Sequence, residues 1–124
     1  MTTLSKLAQI AISTRDLPKA IAFYRDVLGL KLTFEVSGMA FFDAGGTSLM
    51  IGPAQHKGEI QNNMFVYFDA GDWYETEAAL AARGLTFTGA AEVVQRHEGK
   101  EHAIRFFKDP DGNALAIMGW RAAK

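Results

Sequence analysis

The chain has 124 residues, a formal net charge of −1 and no cysteine. That length suits one domain able to bury a core without disulfides or a structural metal. The balanced charge offers nothing to a nucleic acid, and the missing cysteines remove thiolate nucleophiles and thiolate metal sites. Hydrophobic residues make up 48% and charged residues 22%, an ordinary globular composition. No stretch nears the ~20 apolar residues of a membrane span. The N-terminal apolar run is short and alternating, so it reads as a strand and not as a signal peptide. Cytoplasmic location, with no membrane or nucleic-acid partner, is the expectation.

In chain order, Leu7 to Ser13 alternates: Ile10 and Ile12 point one way, and Gln9, Ala11 and Ser13 the other. Asp16 caps a helix with Pro18 in its first turn, and Leu17, Ile21, Tyr24 and Leu28 form its apolar stripe up to Gly29. Strands follow at Lys31 to Val36, Met39 to Phe42 and Thr47 to Ile51, the last after a Gly45-Gly46 turn. Residues 52–63, GPAQHKGEIQNN, are polar and breaker-rich and read as a linker. The pattern then restarts. Met64 to Phe68 reads as a strand, Asp72 with Glu75 as a capping box, and Gly84 as a helix stop. Leu85 to Gly89 resembles Leu30 to Phe34. Glu92 to Arg96 and Ala103 to Phe107 flank a hairpin at Glu98-Gly99-Lys100. Asp109-Pro110-Asp111-Gly112 turns the chain into its last strand, with the chemistry of a tight turn.

That last turn has a cruder copy. Aligning Gly46 on Gly112 puts Leu49 on Leu115, Met50 on Ala116 and Ile51 on Ile117. The chain is thus read as an α+β protein of two tandem βαβββ modules, residues 1–55 and 59–124. Together they would form a curved mixed sheet around a cleft, with the helices outside. The spacing from Gln9 to Gly29 matches that from Met64 to Gly84. A one-residue slip would put Phe65 opposite Gln9 instead and would turn every side chain of that strand over.

The runs Gln9-Ile10-Ala11-Ile12, Phe23-Tyr24-Arg25-Asp26-Val27-Leu28-Gly29-Leu30 and Phe107-Lys108-Asp109-Pro110-Asp111-Gly112-Asn113 resemble those of the vicinal oxygen chelate superfamily. That group contains glyoxalase I, extradiol dioxygenases, and fosfomycin- and bleomycin-resistance proteins. The resemblance covers essentially the whole chain and implies the fold; it leaves the activity open. It also implies that metal-using members carry His, Gln or Glu on the first and last strand of each module, facing the cleft. Those positions fall here on Gln9, Met50, Met64 (or Phe65) and Ala116. Only Gln9 could serve a hard divalent metal, so the usual metal site is expected to be missing and no cofactor is expected.

The preferred reading is a small-molecule-binding protein similar to the bleomycin-resistance type, binding a small organic ligand as a homodimer. Its candidate ligand-binding residues are Gln9, Ser13, Ser48, Met50, Met64, Arg105, Ala116 and Met118, with no assigned catalytic residue. Gln9 would anchor a polar group, and methionine adapts to varied ligand shapes. The alternative is a metal-dependent glyoxalase- or dioxygenase-like enzyme with a divalent ion at relocated ligands, using His97 or His102 with Gln9. A weaker third reading makes Glu35 the base of a cofactor-free isomerase. Each candidate has a plainer explanation. His97, Glu98, Glu101 and His102 suit a polar hairpin tip, His56 a solvated loop, Glu35 an edge strand, and Gln9 a satisfied amide. Arg105 suits an ion pair, and alternation leaves its face open. Trp73 reads as core or interface, and Trp120 as cover for the cleft mouth or a subunit boundary.

Overall fold

A computed structural model describes residues 4, 6–53 and 64–124. The chain divides into two compact units, Met1–Gln61 and Asn62–Lys124. Most of the expected linker, with His56, lies outside the described residues. Its first two members do not: Gly52 and Pro53 complete a strand, paired with Ser13 and Thr14.

The first unit runs β1 (Gln9–Thr14), α1 (Leu17–Ala22), β2 (Lys31–Val36), β3 (Met39–Ala44) and β4 (Thr47–Pro53). Its four strands lie in the order β1-β4-β3-β2, with β1 parallel to β4 and the other pairs antiparallel. The Asp16 carboxylate accepts the Lys19 N–H at 3.1 Å, which caps α1 at the expected residue. The helix lies against β3 and β4. Ile21 and Tyr24 are buried with Ile12, Phe42, Leu49 and Ile51, and the Tyr24 and Phe42 rings are 5.9 Å apart.

The second unit repeats the plan with β5 (Val66–Asp69), α2 (Trp73–Ala82), β6 (Glu92–His97), β7 (Lys100–Lys108) and β8 (Ala114–Ala122), in the order β5-β8-β7-β6. Asp72 caps α2 by accepting the Glu75 N–H at 3.1 Å. Trp73 and Leu80 are buried with Ala103, Phe107, Leu115 and Ile117. The α+β architecture of two βαβββ modules is therefore present, as two four-stranded mixed sheets. Even the irregularities are duplicated. A register shift falls between Leu32 and Phe34 in β2, and another between Val93 and Gln95 in β6.

Leu85 to Gly89 is not a strand. Thr88 bonds the neighbouring strand β7, its N–H and hydroxyl both donating to the Phe106 carbonyl, at 2.9 and 3.1 Å, but the stretch forms no ladder. The stretch is the connection from α2, and β6 is the true counterpart of β2.

The helices differ by one residue. Asp16 precedes Gly29 by thirteen positions, whereas Asp72 precedes Gly84 by twelve. The extra residue is taken up by a π-helical turn, Phe23–Val27, that continues α1 and is closed by the Leu28 N–H on the Phe23 carbonyl at 3.0 Å. In α2 the chain instead ends with Leu85 N–H on the Leu80 carbonyl and Gly84 N–H on the Ala81 carbonyl, each 3.0 Å, the pattern of a Schellman cap.

Candidate functional site

Each helix covers one face of its own sheet, so the chemistry open to a ligand lies on the other. In the first unit β1 and β4 pair Gln9 with Ser48, Ile10 with Leu49, Ala11 with Met50 and Ile12 with Ile51. Side chains of paired residues share a face, so Ile10, Ile12, Leu49 and Ile51 turn to the helix. Gln9, Ser13, Ser48 and Met50 turn away from it, as the alternation predicts. Phe41 pairs with Met50 and with Phe34, and this brings the two phenyl rings to 4.4 Å in a stacked arrangement on the same face. The Ser48 hydroxyl donates to Gln9 Oε1 at 3.4 Å, and Gln9 Nε2 lies 4.0 Å from Met50 Sδ. The Gln9 amide is therefore held beside Met50 and remains exposed.

In the second unit β5 and β8 pair Val66 with Leu115, Tyr67 with Ala116, Phe68 with Ile117 and Asp69 with Met118. Val66 and Phe68 therefore face α2, and Phe65 and Tyr67 take the open face with Ala116. The expected match of Met64 with Gln9 is corrected: Phe65 holds the equivalent position. The physical reason is the π turn. Counting back from the helix-ending glycines carries its extra residue into the strand, whereas counting from the caps Asp16 and Asp72 leads to Phe65. An aromatic cluster results. Phe65, Tyr67 and Phe106 lie with ring centroids 5.7 to 6.4 Å apart, and Phe65 remains 56% exposed. Ala116, paired with Tyr67 and Phe106, is fully buried on this face. Ile104 and half-buried Met118 extend it towards Trp120.

Arg105 lies elsewhere. It pairs with Ile117 and so turns to the helix side. There Nη1 donates to Glu77 at 2.7 Å, Nε donates to the Gly89 carbonyl at 2.9 Å, and the guanidinium lies 4.2 Å from the Phe87 ring centroid. The plainer reading of Arg105 as an ion pair is the one its geometry supports. It shares no face with Ala116 or Met118. A groove of about 580 Å³ beside it is lined by Tyr74, Ala81, Leu85 and Phe87, among others.

The four polar residues of the β6–β7 hairpin do not converge. Glu101 turns to the helix side, where Arg121 donates to it at 2.7 to 2.8 Å. His102 turns to the open face and stacks on Trp120 at 5.0 Å. His97 and Glu98 lie at the exposed tip, 3.8 Å apart. Among the described residues no group of three or more His, Asp or Glu side chains could hold a metal ion. Glu35 pairs with Ala40, which faces α1, and its charge acts on Arg25. Trp73 belongs to the core of the second unit, at 2% exposure.

The turn at Asp109 is structural. Its Oδ1 accepts the N–H groups of Asp111 and Asn113 at 2.9 Å each, and Oδ2 accepts the Asn113 side-chain amide at 2.8 Å.

Two βαβββ units, each with a helix on one face of its sheet and an apolar, aromatic-rich opposite face, define the class: a duplicated-module α+β protein. The chain belongs to the Glyoxalase/Bleomycin resistance protein/Dioxygenase superfamily, whose family model matches residues 6–117. Among curated proteins it is similar to the uncharacterized protein YraH of Bacillus subtilis, 29% identical over 90% of this chain and 96% of that one. Among solved structures it resembles the lactoylglutathione lyase of Agrobacterium tumefaciens, with 22% identity, 94% and 95% of the two chains covered and a TM-score of 0.72. A superfamily member from Sphaerobacter thermophilus has 22% identity, 93% and 97% coverage and a TM-score of 0.74. At these identities the structures speak for the fold alone. No helix among the described residues is long and apolar enough to cross a membrane.

Proposed function

We propose that the chain binds a small organic ligand on the open, non-helical faces of its sheets, and that it does so without the superfamily's metal. The strand register carries the reading: the positions at which the superfamily resemblance implies metal ligands fall on Gln9 and Met50 in the first unit and on Phe65 and Ala116 in the second. Only the Gln9 amide oxygen could serve a hard divalent cation; a thioether, a phenyl ring and a methyl group do not. The open face of each unit by itself suits an apolar ligand. In the second unit the rings of Phe65, Tyr67 and Phe106 supply flat contact area and Met118 adaptable surface; in the first, Met50 supplies adaptable surface and Gln9 a donor and an acceptor. Ser13 and Ser48 add hydroxyls on the face of Gln9. In this reading affinity is the activity, as for a drug-sequestering protein. A homodimer accompanies it, to be checked by sedimentation.

The test is a thermal-shift screen against aromatic and drug-like compounds, repeated on Phe65→Ser and Met50→Ala. Ligand at a hundredfold its Kd stabilises by ~2.7 kcal/mol, well within detection. A hit lost in either variant supports the reading; hits indifferent to both, or none, oppose it.

A further inference from the structure

At the far end of the second sheet, on its open face, lies a second small concavity of about 240 Å³, lined by His97, Glu98, Lys100 and Trp120. We propose that it is a binding site for a small, neutral, planar heteroaromatic compound carrying both hydrogen-bond donors and acceptors.

The floor is Trp120. An indole is the largest flat apolar surface a side chain can offer, and this one remains 43% exposed. It is also held in place. His102, its cross-strand partner, packs on it at 5.0 Å with an interplanar angle of 28°. The hairpin backbone is fixed too, with His97 paired to Lys100 and the Ala123 N–H bonded to the Gly99 carbonyl at 3.2 Å. A ligand stacking there meets a preformed surface and orders little on binding.

The rim sets the chemical class. Lys100 can only donate and a Glu98 carboxylate can only accept, while a neutral His97 ring does one of each. The formal charges of Lys100 and Glu98 cancel, so neither an anion nor a cation is favoured over a neutral molecule. The volume lies under the ~300–1,000 Å³ of sites for drug-sized ligands, which restricts the occupant to one or two fused rings. The ligand proposed for the Phe65 region would contact other residues of this face, so the two sites can fail separately.

The experiment follows the indole N–H signals by NMR as hypoxanthine is added to the full chain. δ-Valerolactam, which has the donor and acceptor without the π surface, and toluene, which has the ring without them, serve as controls. The expected result is a saturable shift of the Trp120 indole signal, at least tenfold weaker for either control, with the Trp73 signal unmoved. Trp120→Leu should abolish saturable shifts at His102 and Lys100, and Phe65→Ser should leave the titration unchanged. Absence of a saturable shift overturns the proposal, as does binding that survives Trp120→Leu. An equal response to toluene overturns the assigned class.

Discussion

Replacing Asp109 with Ala should be among the most damaging substitutions in the chain, although the residue touches no ligand face. The residue is 6% exposed and its carboxylate accepts hydrogen bonds of 2.8 to 2.9 Å from three donors. Hydrogen bonds to charged groups are worth ~1.5–3 kcal/mol each, and donors left buried without a partner add their own desolvation cost. Simple addition would exceed what a turn can lose, because the freed N–H groups of Asp111 and Asn113 will reach water as the loop relaxes. We expect a loss of about 4 kcal/mol, near the upper end for single substitutions. For a chain of this size that lowers Tm by roughly 10–20 °C. The duplicated turn supplies the control. Asp43 is exposed and, among the described residues, accepts only the Gly46 N–H, at 2.9 Å, so Asp43→Ala should cost about 1 kcal/mol or less. Asp109→Asn keeps an acceptor for the two backbone donors and should fall between. Thermal unfolding of the three variants by circular dichroism decides the matter. Equal losses for Asp109→Ala and Asp43→Ala would refute the claim that the buried carboxylate holds this turn.

Arg105→Met should lower stability by about 1–2 kcal/mol through loss of the partly buried Glu77 pair and the Gly89 bond, while ligand affinity stays unchanged in the thermal-shift assay. Ser37 has φ 46° and precedes Gly38 at φ 81° in the β2–β3 hairpin. Ser37→Asn creates the Asn-Gly pair such turns prefer and should gain about 0.5–1 kcal/mol, read from the urea midpoint. The Asp26 carboxyl is held below the usual range by hydrogen bonds from Arg25, with a smaller Coulombic contribution from the same group. Side-chain NMR should show its pKa return towards the ordinary value in Arg25→Gln. A depressed carboxylate stabilises above its unfolded pKa and ceases to do so as pH falls through its folded one, so any stability difference between the two proteins should vanish in acid.

The parts of the fold that were legible in the sequence are those written in short-range chemistry. Asp16 and Asp72 announce the two caps, Asp109 to Gly112 and Gly45-Gly46 the two turns, and alternation puts Leu49, Ile51, Leu115 and Ile117 on the helix side. What was not legible depends on backbone geometry without a residue signature. Nothing in Phe23 to Val27 marks a π turn, and its one extra residue moved the expected position from Phe65 to Met64. With it went the aromatic cluster of Phe65, Tyr67 and Phe106, which alignment on the caps would have recovered. Leu85 to Gly89 has strand-like composition but finds no ladder partner. Arg105 sits on an alternating strand whose two faces both carry apolar residues, so its side could be read only from the β7–β8 register.

The proposed metal-free binding rests on Gln9, Met50, Phe65 and Ala116 standing where the resemblance implies metal ligands. Metal analysis of protein purified without chelator, after dialysis against Mn, Fe, Ni and Zn salts in turn, is the sharpest check. Far less than one ion per chain is expected, with no change on Gln9→Ala. A stoichiometric ion that disappears on Gln9→Ala would overturn the proposal.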